Sequence, residues 1–404
     1  MNGEMQKRIH LVFVSIFGIP QNYIDPFVLD GLRAHFDVEW WACSDIVYPK
    51  YTEADANLPY VLKICSLDEL KRNLQRIPKD TLLIRIIPWI WKNRRVNKLM
   101  AKQFPRIVLI QSYSNTPSPY EKEEEELSGK ARKNLLSILK KPLYRSYSLK
   151  TAIKILFHPQ RRHVLIQLWQ FAKEWNRFKE IVVINCAKGS EYYINHPDVE
   201  QYIRLQTSTE RRSDRFIVYI DQNFPYHLDL KIWQPDINIE DLEHRFFPSI
   251  NRFFDHLERM YDCKVVIAVH PKAQNLHNPF NGREMVFHNT AALVRDSIGV
   301  CMHSSNALSF VMFYDKPVVS MVNGAIKKVE RSYNQLVNMV NQWDVPCIDT
   351  DSPSYEEYPL AHLSPETRRQ YIEYYFGDIE SSSLQSNADL MKKHFHSIYH
   401  RFYD

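Results

Sequence analysis

Glycine is scarce, with 9 in 404 residues, and none of them falls into GxGxxG or GxxxxGK[ST]. Both spacings bring a backbone close to phosphate, so the dinucleotide fingerprint and the P-loop are excluded. Cysteine is equally thin. Cys43, Cys65, Cys186, Cys263, Cys301 and Cys347 lie far apart with no CxxC, which argues against a zinc or disulfide scaffold and for free thiols in a reducing compartment. Charge of one sign is lacking too: 52 Lys and Arg against 47 Asp and Glu leave +5, no electrostatic case for a nucleic-acid partner. Long apolar runs are missing. Leu82–Trp91 is interrupted by Arg85 and Pro88, and Ile9–Phe17, after the polar Met1–Arg8, is too short for a signal-peptide core or a membrane span. The expectation is a cytoplasmic protein, with peripheral membrane contact left open.

What is present is ordinary globular composition, 45% apolar and 25% charged, in a chain long enough for two domains. Short β-branched runs alternate with longer amphipathic segments, the pattern of βα units around parallel sheets. The pattern predicts strands at Ile9–Ile16, Val38–Ala42, Leu82–Ile87, Ile107–Gln111 and Ile181–Asn185, each apolar enough to be covered on both faces. A charged insertion at about 118–178 holds the acidic run Glu121–Glu126, a basic tract from Lys130 to Lys154 and a predicted helix, Val164–Phe178. The polar stretch Thr207–Arg215 reads as a linker. Beyond it come predicted strands Phe216–Ile220, Lys264–Val269, Gly299–Met302 and Pro317–Met321, predicted helices near Ile239–Tyr261 and Asn306–Tyr314, and a helical tail broken at Ser381–Ser386. The domains are therefore drawn at 1–206 and 207–364, with helices in 365–404 packing back on the first. Two facing Rossmann-like domains with a central cleft are expected.

Ligands in such sheets bind beyond the carboxyl ends of the strands. Three of those ends are unusually polar. Phe216–Ile220 runs into Asp221, Gln222 and Asn223; Lys264–Val269 into His270, Pro271 and Lys272; Gly299–Met302 into His303, Ser304, Ser305 and Asn306. The two serines, read as opening a helix, suit an anion, since backbone donors and the helix dipole both favour negative charge there. Each feature also has a plainer use: an N-cap for the serines, an Asx-turn for Asp221, a core or surface position for His270.

The order strand-His270-Pro271, then strand-Ser304-Ser305, then Ala307, Leu308 and the Lys316-Pro317 strand resembles the nucleotide half of GT-B glycosyltransferases that use CMP-activated ulosonic acids. These are the bacterial sialyltransferases and the transferases of 3-deoxy-manno-octulosonic acid (Kdo). Within that group, Val218–Pro225 is most similar to the retaining β-Kdo transferase domains of bacterial O-antigen and capsule assembly. The resemblance covers roughly Phe216–Asn323. It implies a GT-B-like fold, a nucleotide-sugar-binding second domain and an acceptor-binding first domain, and a donor CMP-β-Kdo whose phosphate is held by His270, Ser304 and Ser305. It also implies that Asp221 is a nucleophile forming a covalent glycosyl-enzyme intermediate. A double displacement needs such a carboxylate beside the leaving phosphate.

Lys272, His303, Asn306, Gln222 and Asn223 complete the expected donor site, and Glu191, after the strand end at Asn185–Gly189, is the candidate proton carrier of the first domain. No cofactor is expected, and no metal, because Asp349-Thr350-Asp351 has the spacing of a metal-binding carboxylate pair but is read as a loop after Pro346. The basic tract is a candidate contact for an oligosaccharide or lipid-linked glycan acceptor or an assembly complex. Rival readings are an inverting CMP-sialic acid sialyltransferase, a CDP-glycerol-type glycerophosphotransferase and a non-catalytic glycan-assembly module. The inverting enzyme would need an acidic pair before glycine, and Leu29-Asp30-Gly31 lacks the first acid.

Overall fold

A computed structural model describes residues 8–15, 26–47, 58–86, 93–111, 173, 175–186, 190–227, 230, 234, 236–271, 273, 278–353, 360–377, 379 and 385–404. The described chain falls into two compact units. The first holds residues up to 111, from 173 to 200 and from 385 on; the second holds 201 to 379, so the division lies inside the helix Pro197–Gln206. The charged insertion, its basic tract and all but the last residues of its predicted helix lie outside the described residues, as does Lys272.

Unit one is built on strands β1 (His10–Ser15), β2 (Asp37–Ala42), β3 (Val61–Lys63), β4 (Leu82–Ile86), β5 (Arg106–Gln111), β6 (Glu180–Asn185) and β7 (Tyr192–Tyr193). Unit two has β8 (Phe216–Ile220), β9 (Lys264–Val269), β10 (Met285–Phe287), β11 (Gly299–Met302), β12 (Val318–Val322) and β13 (Cys347–Asp349). The first sheet runs β3-β2-β1-β4-β5-β6-β7 and the second β10-β9-β8-β11-β12-β13, with every ladder parallel. Each is the doubly wound order, in which the chain winds outward one way from the first strand and then the other way. The α/β, two-unit reading of the sequence stands. Its inner strands stand almost residue for residue, because strands covered on both faces must be apolar throughout.

In unit two the helix Ile239–Tyr261 lies against the sheet through Phe246, Ile250, Phe253, Phe254 and Leu257, all buried. Asn238 caps it, accepting from the Asp241 N–H at 3.1 Å. The polar stretch read as a linker is fastened to this unit. The Arg295 guanidinium donates to the Leu205 and Glu210 carbonyls, and Asp296 accepts from the Arg212 N–H at 3.0 Å and from Arg211 at 3.1 Å.

The tail, grouped in sequence as one helical region on the first domain, divides. Pro365–Tyr375 belongs to unit two, whereas Asn387–Tyr403 belongs to unit one and sinks Met391, Phe395, Ile398 and Phe402 into the core beside Phe13 and Trp40. Asn387 fixes the start of that last helix. Its amide donates to the Asn195 carbonyl at 3.1 Å and accepts from the Asn195 N–H at 2.8 Å, and its own N–H donates to the buried Glu200 at 2.7 Å.

Candidate functional site

In a doubly wound sheet the crevice opens where the winding reverses, which in unit two is between the carboxyl ends of β8 and β11. Pairing of Ile220 with Met302 on one side and Ala268 on the other sets Asp221 level with His303 and with Val269, one residue before His270.

Asp221 prolongs the ladder by one bond, its N–H donating to the Ala268 carbonyl at 3.0 Å. Its carboxylate then ties two strand exits together. Oδ1 accepts from the Asn223 N–H at 2.9 Å and Oδ2 from the His270 N–H at 3.3 Å. Asn223 sits at φ 55, the left-handed conformation that Asn tolerates better than most residues, and this turns the chain back over the carboxylate. Asp221 is only 7% exposed. Burial pushes its carboxyl up to about 6, against the pull of the backbone N–H groups of Asn223, His270 and Gln222, which favour the ionised form.

Gln222 reaches the other way. Its Oε1 accepts from the Ser304 N–H at 3.4 Å, a long bond that links the β8 exit to the β11 exit. The structure thus brings Asp221, Gln222, Asn223, His270 and Ser304 together around one turn of chain.

Two of the sequence expectations change here. The serine pair does not open the helix, which begins at Leu308. Ser305 and Asn306 instead close tight turns: the Ser305 hydroxyl accepts from the Ala307 N–H at 3.2 Å, and the Ser305 and Asn306 carbonyls accept from Leu308 and Ser309. The N–H groups of Ala307, Leu308 and Ser309 are consumed locally, as hydroxyl side chains near a helix start commonly arrange. His303 is not a ligand-facing residue either. It is 1% exposed, packed against the Tyr219 and Phe246 rings, and its Nδ1 lies 2.6 Å from the Met321 carbonyl. A carbonyl only accepts, so Nδ1 carries the proton. Burial holds this imidazole down to about 4, neutral at ordinary pH.

Asp349 is also placed differently from the sequence reading, since it closes strand β13 and Asp351 follows just beyond that strand end. Their oxygens are occupied: Asp349 by Lys327 at 2.5 Å, Asp351 by the Gly324 N–H at 2.7 Å and the Ser249 hydroxyl at 2.6 Å. Among the described residues no group of three metal-binding side chains occurs. Glu191 stands in unit one, largely exposed and paired with Arg401 at 3.3 Å.

One residue escaped the sequence reading. His227, on the turn after Phe224-Pro225-Tyr226, sets its ring 5.1 Å from that of His270. A lone histidine in an aromatic stretch gives no periodic or spacing signal, so only the fold could show it.

No protein-family profile matches the chain, and no curated protein does. Among solved structures, the wall teichoic acid polymerase TagF is similar with TM-score 0.45 and 11% identity over 98% of this chain and 91% of that one. The glycosyltransferase SnogD from Streptomyces nogalater gives TM-score 0.42 and 9% identity over 97% and 100%. The UDP-GlcNAc 2-epimerase from Methanocaldococcus jannaschii gives TM-score 0.41 and 10% identity over 96% and 100%. A polymerase, a glycosyltransferase and an epimerase score alike, and likenesses this remote select no chemistry for this chain.

Proposed function

We propose that the chain is a glycosyltransferase of the GT-B kind that transfers Kdo from CMP-β-Kdo to a bacterial surface glycan with retention of configuration. The supporting observation is the junction of Asp221 with His270 at the reversal point of the second sheet. It sets a carboxylate beside the strand exits that, by resemblance, hold the CMP phosphate. Asp221 attacks the anomeric carbon. The bond from that carbon to the phosphate oxygen breaks, and CMP leaves with the electron pair, its charge met by donors from His270 and the Ser304–Ser305 turn. The acceptor hydroxyl then displaces the carboxylate, losing its proton to solvent or a base. Two inversions restore the starting configuration. The acceptor is a glycan, free or lipid-linked; no helix among the described residues is long and apolar enough to cross a membrane.

A second reading has its own observation. Both Asp221 oxygens already accept backbone N–H groups, which suits an aspartate that only positions His270. Incubation with CMP-Kdo generated in situ, followed by intact-mass spectrometry, separates the two. A covalent adduct mapping to the peptide around Asp221 supports double displacement; turnover without an adduct, or of CMP-sialic acid, favours the positioning role and the inverting rival. Consumption of CDP-glycerol points to the phosphotransferase, and no CMP release from any ulosonic donor removes the enzyme.

A further inference from the structure

We infer that the side chains of His303 and Ser320 form a clasp between β11 and β12 that positions the Ser304–Ser305 turn. His303 and Ser320 are then positioning residues, acting through that turn and touching no ligand themselves. In the proposed transferase the turn is the one that, by resemblance, meets the phosphate of CMP, so the inference deepens that reading and rests on it for the identity of the ligand.

The register between β11 and β12 runs as far as Met302 with Ser320. One step further on, side chains join the two strands. The His303 Nδ1–H donates to the Met321 carbonyl at 2.6 Å, and the Ser320 hydroxyl donates to the His303 carbonyl at 2.9 Å. The two bonds run in opposite directions between the same strands, as ladder rungs do, and both side chains are buried, His303 at 1% exposure and Ser320 at 0%. The imidazole has no room to swing, with the Tyr219 ring at 5.8 Å and the Phe246 ring at 5.2 Å between centroids. The peptide unit that follows is held at both ends. Its carbonyl, from His303, accepts from Ser320; its N–H, from Ser304, donates to Gln222 at 3.4 Å. A peptide unit is planar, so bonds to its two ends set the direction in which the chain leaves toward Ser305. Further backbone rungs would have kept the chain in the sheet. Links made by side chains satisfy the same carbonyls while the chain enters the tight turns that begin at Ser305.

The test uses the full chain, with CMP titration and local hydrogen exchange as readouts. Ser320→Ala removes one hydroxyl and little volume; it should raise exchange across Ser304–Ser309 ahead of the rest of unit two and weaken CMP binding about fivefold, the loss of roughly one hydrogen bond. His303→Leu should weaken CMP binding at least as much. His303→Asn keeps a donor in the place of Nδ1 and should bind CMP within about twofold of wild type although it packs less well. Ile217→Val, a core change near the opposite end of β8, is the control: it should lower stability and leave CMP binding alone. Ser320→Ala binding CMP as the wild type does overturns the clasp whether or not exchange changes, and decides the matter even where a His303 variant fails to fold. A folded His303→Asn that binds CMP as weakly as His303→Leu overturns it too. If Ser320→Ala loosens the turn and weakens CMP binding but no CMP-sugar is turned over, the transferase falls and the clasp stands. If Ser320→Ala turns over CMP-Kdo as the wild type does, the clasp falls and the transferase stands. A wild-type chain that binds no CMP removes the turn from any donor site, and the role of the clasp with it.

Discussion

The Asp221 carboxylate binds the backbone of His270: the His270 N–H donates to Oδ2 at 3.3 Å, and the His270 ring stands 5.1 Å from that of His227. Two neighbouring strand exits are locked by one buried charge, and that charge has measurable consequences.

The folded-state carboxyl of Asp221 is raised to about 6 from its ordinary 3.8, so the group's contribution to stability is whole below the lower value and is lost as pH rises through the upper. The difference amounts to about 3 kcal/mol. Asp221→Asn, which does not titrate, should be relatively more stable than wild type at pH 8 and lose that advantage near pH 4. Urea unfolding of both proteins across this range checks it; a wild-type-minus-variant difference that is flat with pH would show the carboxylate to be solvated. In the transferase reading the same group must be ionised, so the adduct-forming step should slow about tenfold per unit below pH 6.

His303 runs the other way. Its folded value is depressed to about 4 from 6.5, so its stability contribution is present above the higher value and disappears as pH falls through the lower, again about 3 kcal/mol. Its imidazole signal should hold the neutral position down to about pH 5. His303→Phe leaves the Met321 carbonyl without its donor and should cost about 1–3 kcal/mol at neutral pH while shifting acid unfolding to lower pH. A His303 that titrates near its ordinary value would contradict the buried placement.

Gly31 lies on the helix Pro26–Arg33, where an added Cβ would meet the Cβ of Ala388 at 2.8 Å. Gly31→Val should destabilise unit one by about 1–3 kcal/mol, with Gly31→Ala milder and partly rescued by Ala388→Gly. Thermal melts of the three variants decide it. The glycine of the Asp30-Gly31 pair serves close helix packing.

Asn387→Ala removes both bonds to the Asn195 backbone, leaving a buried N–H and carbonyl unsatisfied. A loss of about 2–4 kcal/mol in unit one is expected, against well under 1 kcal/mol for a surface control such as Lys393→Ala. Hydrogen exchange of the helix Asn387–Tyr403 should rise with it.

The inner strands were legible because burial on both faces leaves only apolar residues to choose from: Phe216–Ile220 and Lys264–Val269 were placed without error. The strands that went unread, β3, β7, β10 and β13, are two or three residues long and flank the others, where one neighbour and partial exposure leave little pattern. At the site, Asp221 and His270 were legible as polar residues ending apolar runs. That rule failed for His303, which follows an equally apolar run yet turns inward, because sequence shows where a strand ends and not which face the next side chain takes. The Ser304–Ser305 turn was misread for a related reason: the helix starts three residues after Ser305, and such boundaries depend on local bonds that spacing does not reveal.

The helix Asn387–Tyr403 follows the whole of unit two in the chain yet fills the core of unit one. During synthesis, then, the earlier-made sheet waits with a hollow beside Phe13 and Trp40 while roughly half the polypeptide emerges and collapses elsewhere. Any stalled or clipped product ending short of Met391 would carry an exposed apolar trough, a target for chaperones and proteases, even with every strand-end residue of unit two in place.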